Sequence, residues 1–216
     1  MAELPRLASM ARAIKVHAVT RNEQIWFALF VLAVSLTLAA ARWTYFPGDV
    51  SATRFVQWFT PQSTDWAQWI SSTAKFPWIL ILLAVTVGLS WKLGGWRAAL
   101  LAVGSFAGMW VLGRHLGPLI ARPRPSPDLV RVAEKLSGYS FPSIFALNYA
   151  STVGFLAVLF ARKSTGTLRA WGIPVCSVLL TVGLTARVAL AAHWTSDVAL
   201  SYLIGLLWAA LLICFL

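Results

Sequence analysis

Charge is scarce in this sequence. Of its 216 residues only 12% are charged, while 59% are hydrophobic. A soluble domain of this length carries about twice that charged fraction, so a water-facing globular fold is excluded as the first reading. Acidic residues are fewer still, seven against eighteen Lys and Arg, for a formal net charge of +11. Such an excess suits nucleic acid, but the basic residues flank apolar runs and form no soluble patch, which excludes that partner. Cysteine is nearly absent. Cys176 and Cys214 both lie inside apolar runs, so no disulfide framework is implied and both read as small buried hydrophobes. No internal repeat, low-complexity linker or clean A-x-A-like cleavage site after the first apolar run is present, which favours a retained span over a removed signal peptide. Residues 1–216 therefore read as one membrane domain.

Long apolar runs and tryptophan are what the chain has in plenty. Several runs approach the roughly 20 residues needed to cross a hydrocarbon core. The twelve Trp suit interfacial anchors, many lying near run ends. The fold class expected is all-α, a polytopic six-transmembrane helix bundle with short interfacial helices. Residues 1–24 form a basic N-terminal segment. Spans are expected at about Ile25–Ala41, Phe76–Trp91, Ala98–Gly113, Pro142–Ala161, Trp171–Leu190 and Ser196–Leu216. Between the first two, Phe55, Trp58, Phe59, Trp66, Trp69 and Ile70 recur at helical spacing and predict one or two interfacial helices, the alternative being a surface loop. Lys92 to Arg97 read as a short basic loop, and Arg114 to Phe141 as a polar, proline-rich one.

Six spans place the N-terminal segment, the 92–97 loop and the 162–169 loop on one side. The eighteen Lys and Arg divide evenly between the two sides, so a raw count assigns no orientation. Treating Arg114, Arg122, Arg124, Arg131, Lys135 and Arg187 as an anion-binding group breaks the tie. Both termini are then cytoplasmic, and the polar loop faces outward from what is expected to be a bacterial inner (plasma) membrane. In either orientation the polar loop, the start of the fourth span, the end of the fifth and the start of the sixth share one face.

That face collects the ionisable residues. Arg187, His193 and Asp197 occupy R-V-A-L-A-A-H-W-T-S-D at the junction of two apolar runs, where such groups need pairing or water. His193 and Asp197 are spaced i, i+4, so a helical turn would put the carboxylate beside the imidazole. Arg187 offers a fork suited to phosphate. Two further clusters share the face: His115-Leu-Gly-Pro-Leu-Ile-Ala-Arg122-Pro123-Arg124-Pro125 and Tyr139-Ser-Phe-Pro142-Ser143-Ile144-Phe145. Read alone, His193 with Asp197 would be a structural pair capping the sixth span, and Arg122 an ordinary interfacial cation.

The order and spacing of the three clusters resemble the type 2 phosphatidic acid phosphatase superfamily, which includes vanadium haloperoxidases. Its signature is K-x6-R-P, then P-S-G-H, then S-R-x5-H-x3-D, and the resemblance covers about residues 98–216. It implies that His193 is the nucleophile that attacks phosphorus and that Asp197 orients it. Arg122 and Arg187 would clamp phosphoryl oxygens. Ser143 and nearby N–H groups would hold phosphate at a helix start, and His115 would stand at the lysine position. The departures are His115 for lysine, Ala186 for serine, and Ile144 and Phe145 for the glycine and the histidine that protonates the leaving group. Tyr139, Asn148 and Tyr149 are candidate replacement donors. Arg124, Arg131 and Lys135 read as solvated charges on a lid-like loop, balanced by Asp128 and Glu134. Ser151 and Thr152 are expected to bond back within their own helix.

The resemblance implies an integral-membrane lipid phosphatase or phosphotransferase. It would act on a lipid phosphate or diphosphate, of polyprenyl diphosphate or phosphatidate type, through a phosphohistidine, with no cofactor and no metal. The rival is a family member that binds lipid phosphates without turnover, as carrier, sensor or partner subunit. Phe145 with Ile144 discriminates the two. A small transporter is a weaker third, since the second and third spans carry almost no polar residues.

Overall fold

A computed structural model of the chain describes residues 20–216, so the expected N-terminal segment lies outside the described residues up to residue 19. The elements are α1 (Arg21–Ala40), α2 (Asp49–Phe59), α3 (Asp65–Ser72), α4 (Trp78–Ile120), α5 (Ile144–Tyr149), α6 (Phe155–Lys163), α7 (Gly166–Ala189) and α8 (Thr195–Ile213). A π-helical turn, Ala150–Gly154, joins α5 to α6. No strand occurs among the described residues. Among the described residues, five helices are long and apolar enough to cross a membrane: α1, α4, the continuous Ile144–Lys163 helix, α7 and α8.

Helix α4 departs from expectation at both its middle and its end. Its 43 residues would stretch about 65 Å if straight, roughly twice a hydrocarbon core. The helix breaks at Gly95 (φ 71°, ψ −167°), a conformation only glycine adopts readily. The expected 92–97 loop is thus compressed to one non-helical residue. Leu93 packs with Leu216 in one apolar cluster, and Lys163 Nζ donates to Leu216 O at 3.1 Å. The break, the α6–α7 turn and the C-terminus therefore share one end of the bundle. Beyond the break the helix continues through Arg114 and His115 to Ile120, with Pro118 inside its last turn. The polar connection is correspondingly shorter than the expected 114–141.

Helices α2 and α3 occupy the stretch expected to hold interfacial helices, and their polarity is inverted. Asp49, Thr53 and Gln57 of α2 are buried, while Trp58 is 78% exposed and Phe59 75%. On α3, Trp69 is 69% exposed above buried Ser71. Gln57 Nε2 donates to Arg131 O (2.7 Å) and Ala189 O (3.2 Å), and Gln57 Oε1 accepts from the Arg131 N–H (3.3 Å). The polar face thus ties α2 to the protein, and the aromatic face is left for lipid.

The core centres on α8. A Cβ on Gly205 would lie 2.4 Å from Ala150 Cβ, and one on Gly154 would lie 2.8 Å from Leu206 Cδ2. This is the close backbone approach that small residues permit between membrane helices. Next to it, the Thr152 (2.6 Å) and Ser151 (3.1 Å) hydroxyls donate to Asn148 O, the expected back-bonding. Cys176 is buried as expected. Cys214 is exposed just past the end of α8, its Sγ–H donating to Ala210 O at 3.2 Å.

Candidate active site

The turn between α7 and α8 carries His193, and the connection from α4 to α5 folds over it. The Ala133 and Glu134 N–H groups both donate to Leu190 O (3.1 and 3.2 Å), which pins the connection to the turn. His193 is 3% exposed. Its Nδ1 lies 2.5 Å from Ser140 O. A carbonyl oxygen only accepts, so Nδ1 carries the proton and Nε2 keeps its lone pair. Burial, reinforced by Arg187 and Arg124, holds the imidazole well below its ordinary pKa, against the opposing effect of the Ser140 hydrogen bond. The ring is therefore neutral at pH 7 and available as a nucleophile.

A cavity of about 220 Å³ opens against this ring, lined by Ser71, Lys75, Arg124, Tyr139, Phe145 and Arg187 among others. Arg187 Nη1 donates to Ser71 Oγ and to Glu134 Oε2 (2.9 Å). Glu134 Oε1 in turn pairs with Lys75 Nζ at 3.2 Å. Arg124 Nη1 donates to Ala192 O (2.5 Å) and Nη2 to Ser137 O (3.2 Å). Burial, then the nearby Arg187 charge, lowers the Arg124 pKa from its usual value, which an arginine tolerates while staying charged. Among the described residues neither guanidinium's buried Nε–H has a partner. Two unmet charged donors beside a free imidazole nitrogen suit an anion with several oxygens. Among the described residues no group of three or more His, Cys, Asp or Glu could hold a metal ion. A larger groove of about 520 Å³ between α1, α4 and α8 is walled almost wholly by apolar side chains such as Phe30, Met109 and Leu211, and offers no chemistry.

The PAP2 superfamily model matches residues 98–216, more than half of the sequence. The chain belongs to the PAP2 superfamily. Its fold is similar to that of a transmembrane PAP2-type phosphatidylglycerolphosphate phosphatase from Bacillus subtilis. The TM-score is 0.69 at 20% identity, over 88% of this chain and 94% of that one. Comparison with curated protein sequences returns no significant match. In this PAP2 member, Arg124, Tyr139, Phe145, Arg187 and His193 lie within the matched segment, whereas Ser71 and Lys75 reach the cavity from before it.

Of the six residues that the motif resemblance assigns to the site, Arg187 and His193 line the cavity and Asp197, Arg122, Ser143 and His115 do not. Arg122 is the principal correction. It is 1% exposed, with Nη1 paired to Asp197 and Nη2 to Asp49 Oδ2 at 3.1 Å, and with Nε donating to Trp43 O at 3.1 Å. Its guanidinium also stacks 4.5 Å from the Phe46 ring. The R-P-R-P run offers arginine twice, and the second one, Arg124, enters the cavity. Asp197 does not hydrogen-bond His193. His193 precedes the first turn of α8, so the i, i+4 rule does not apply to the pair. Asp197 Oδ2 instead accepts from the Trp194 N–H (3.1 Å) and from the Ser140 hydroxyl (2.5 Å). Its link to the imidazole thus runs through Ser140. Ser143 caps α5: its hydroxyl accepts from the Ala146 N–H (3.4 Å), and its own N–H donates to Ser201 Oγ (2.9 Å). His115 is exposed on the last full turns of α4.

Asp49, Ser140, Glu134 and Lys75 were missed as site residues. Asp49 accepts from the Phe46 N–H (2.8 Å) and from the Ser196 N–H (2.9 Å) and hydroxyl (2.7 Å) besides Arg122. It gave one sequence signal, as an acid directly after a Pro47-Gly48 turn.

Proposed function

We propose that this PAP2 member is an integral-membrane lipid phosphatase or phosphotransferase that transfers a phosphoryl group through His193. The observation that carries the reading is the cavity itself. One neutral imidazole, its proton fixed on Nδ1, shares a small cavity with two arginines whose Nε–H groups lack partners among the described residues. Nε2 attacks phosphorus and forms a phosphohistidine, which water or an acceptor alcohol then resolves. Arg124 and Arg187 meet the charge on the phosphoryl oxygens as it redistributes, so the reading assigns no step to a metal or cofactor. Ser140 fixes the tautomer, and Asp197 acts on the imidazole through Ser140. Arg122, Ser143 and His115 take structural roles in place of the phosphate contacts that the motif resemblance suggests.

The substrate class follows from setting and charge: a phosphate or diphosphate on a lipid, presented at the end of the bundle where α2 and α3 leave aromatic faces for the bilayer. Polyprenyl diphosphates and phosphatidate-type lipids both fit. The arms of α4 on either side of Gly95 count as two spans, which makes six in all. The cavity then faces outward from a bacterial inner membrane, with both termini cytoplasmic. The carrier or sensor reading is favoured by one feature, Phe145, which occupies the cavity wall with no proton to give.

The test is phosphate release from phosphatidate and from a polyprenyl diphosphate by the full-length protein in detergent micelles. Wild type is expected to release phosphate from at least one of them, and His193→Ala from neither. Equal release by the two proteins would overturn the mechanism. Binding without release by wild type would favour the carrier.

A further inference from the structure

When an alkyl phosphate is cleaved, the departing alkoxide needs a proton. The cavity wall holds few groups able to supply one. His193 is the attacking base, Phe145 has no acidic proton, and the two arginines are too basic to donate. Ser71, which accepts a hydrogen bond from Arg187, would itself become an alkoxide on donating and so relieve nothing. Two donors considered from sequence stand elsewhere: the Tyr149 hydroxyl is bonded to Thr73 at 2.5 Å, and Asn148 Nδ2 to Ala74 O at 3.1 Å. Lys75 and Tyr139 remain on the wall. Charge separates the two. A phenol that donates becomes an anion beside a phosphoryl group already rich in negative charge. An ammonium that donates becomes neutral, and before donating it attracts the substrate. Lys75 is also held in place. Glu134 Oε1 lies 3.2 Å from its Nζ, and the other oxygen of the same carboxylate lies 2.9 Å from Arg187 Nη1. Glu134 thus ties the lysine to a phosphate-binding arginine. Lys75 belongs to the α3–α4 connection, outside the segment that matches the family.

We propose that Lys75 is the leaving-group acid of this enzyme, positioned by Glu134. The inference rests on the phosphoryl-transfer reading above. In the first half-reaction the His193 Nε2 lone pair forms the N–P bond while the P–O bond to the lipid breaks. The electron pair of that bond takes a proton from Lys75 Nζ, so the lipid alcohol leaves and a neutral amine stays. In the second, the Lys75 amine takes a proton from water as its oxygen bonds phosphorus. The N–P bond breaks, and His193, the ammonium and inorganic phosphate are restored.

The experiment compares two leaving groups on the full-length protein: phosphatidate, whose alkoxide needs a proton, and 2,4-dinitrophenyl phosphate, whose phenolate does not. Losing a general acid lowers kcat by about 10² to 10⁴ for a poor leaving group. Lys75→Met is expected to show that loss on phosphatidate and less than about a tenfold loss on the aryl ester. Lys75→Arg, which keeps the charge but not the acidity, is expected to remain impaired on phosphatidate. Equal loss on both substrates, full activity of Lys75→Arg, or a leaving-group-selective loss in Tyr139→Phe instead would each overturn the proposal. The side chain of Lys75 is 56% exposed, so these variants keep the fold. If His193→Ala matches wild type on both substrates, the phosphoryl-transfer reading fails instead, whatever Lys75 does.

Discussion

Arg122 and Arg187 are the same residue type in opposite electrostatic situations. Arg122 stands between two buried carboxylates, Asp49 and Asp197, and stacks on Phe46. Removing it leaves both carboxylates buried and uncompensated, a change that destabilises by about 3–5 kcal/mol. Arg187 shares Glu134 with Lys75, so its loss leaves that carboxylate still paired. Arg122→Ala is therefore expected to melt well below wild type in detergent, and Arg187→Ala to melt close to wild type while losing turnover. The reverse pattern would show that the roles have been exchanged. The difference between the arginines was not legible in sequence, because the partners of Arg122 lie about 75 positions away and R-P-R-P looks alike in either register. R-x5-H-x3-D was legible because it is local and set between two apolar runs. Its internal geometry was not, since the helix starts after His193 and only Asp197 belongs to it.

At the scale of elements, hydrophobic run length exposed nearly every helix. Boundaries failed where backbone chemistry overrode composition. Polar residues from Arg114 to His115 read as loop, yet their side chains point outward from a helix that carries on to Ile120. A basic stretch at 92–97 read as a loop, yet Gly95 turns the chain by itself. Packing between elements was invisible in sequence, and Gly205 is its clearest instance. A Cβ there would lie 2.4 Å from Ala150 Cβ, whereas one on Gly88 would meet nothing within 4 Å. Overpacking of this kind destabilises by about 1–3 kcal/mol. Gly205→Ala is thus expected to lower the thermal midpoint in detergent, and Gly88→Ala to leave it unchanged or slightly raised. Equal behaviour of the two would mean that α8 and the π turn do not approach as closely as described.

For the whole molecule, the distribution of apolar surface and the position of the site are two sides of one arrangement. Trp58, Phe59, Trp69, Phe76 and Trp78 are all more than half exposed, a surface that water disfavours and a bilayer accepts. They surround the end of the bundle where the 190–194 turn, the 121–143 connection and Lys75 meet. A lipid anchored in the bilayer would reach the cavity with its phosphate at the level of the arginines. We infer that this convergence makes His193 Nε2 the atom that receives the phosphoryl group. The most direct measurement is rapid quenching of wild type during turnover of a 32P-labelled lipid phosphate, followed by mass spectrometric mapping of the labelled peptide. An acid-labile, base-stable phosphoryl group on His193, bonded through Nε2, is the expected result. Label on any other residue, or steady turnover with no covalent label at early times, would contradict it.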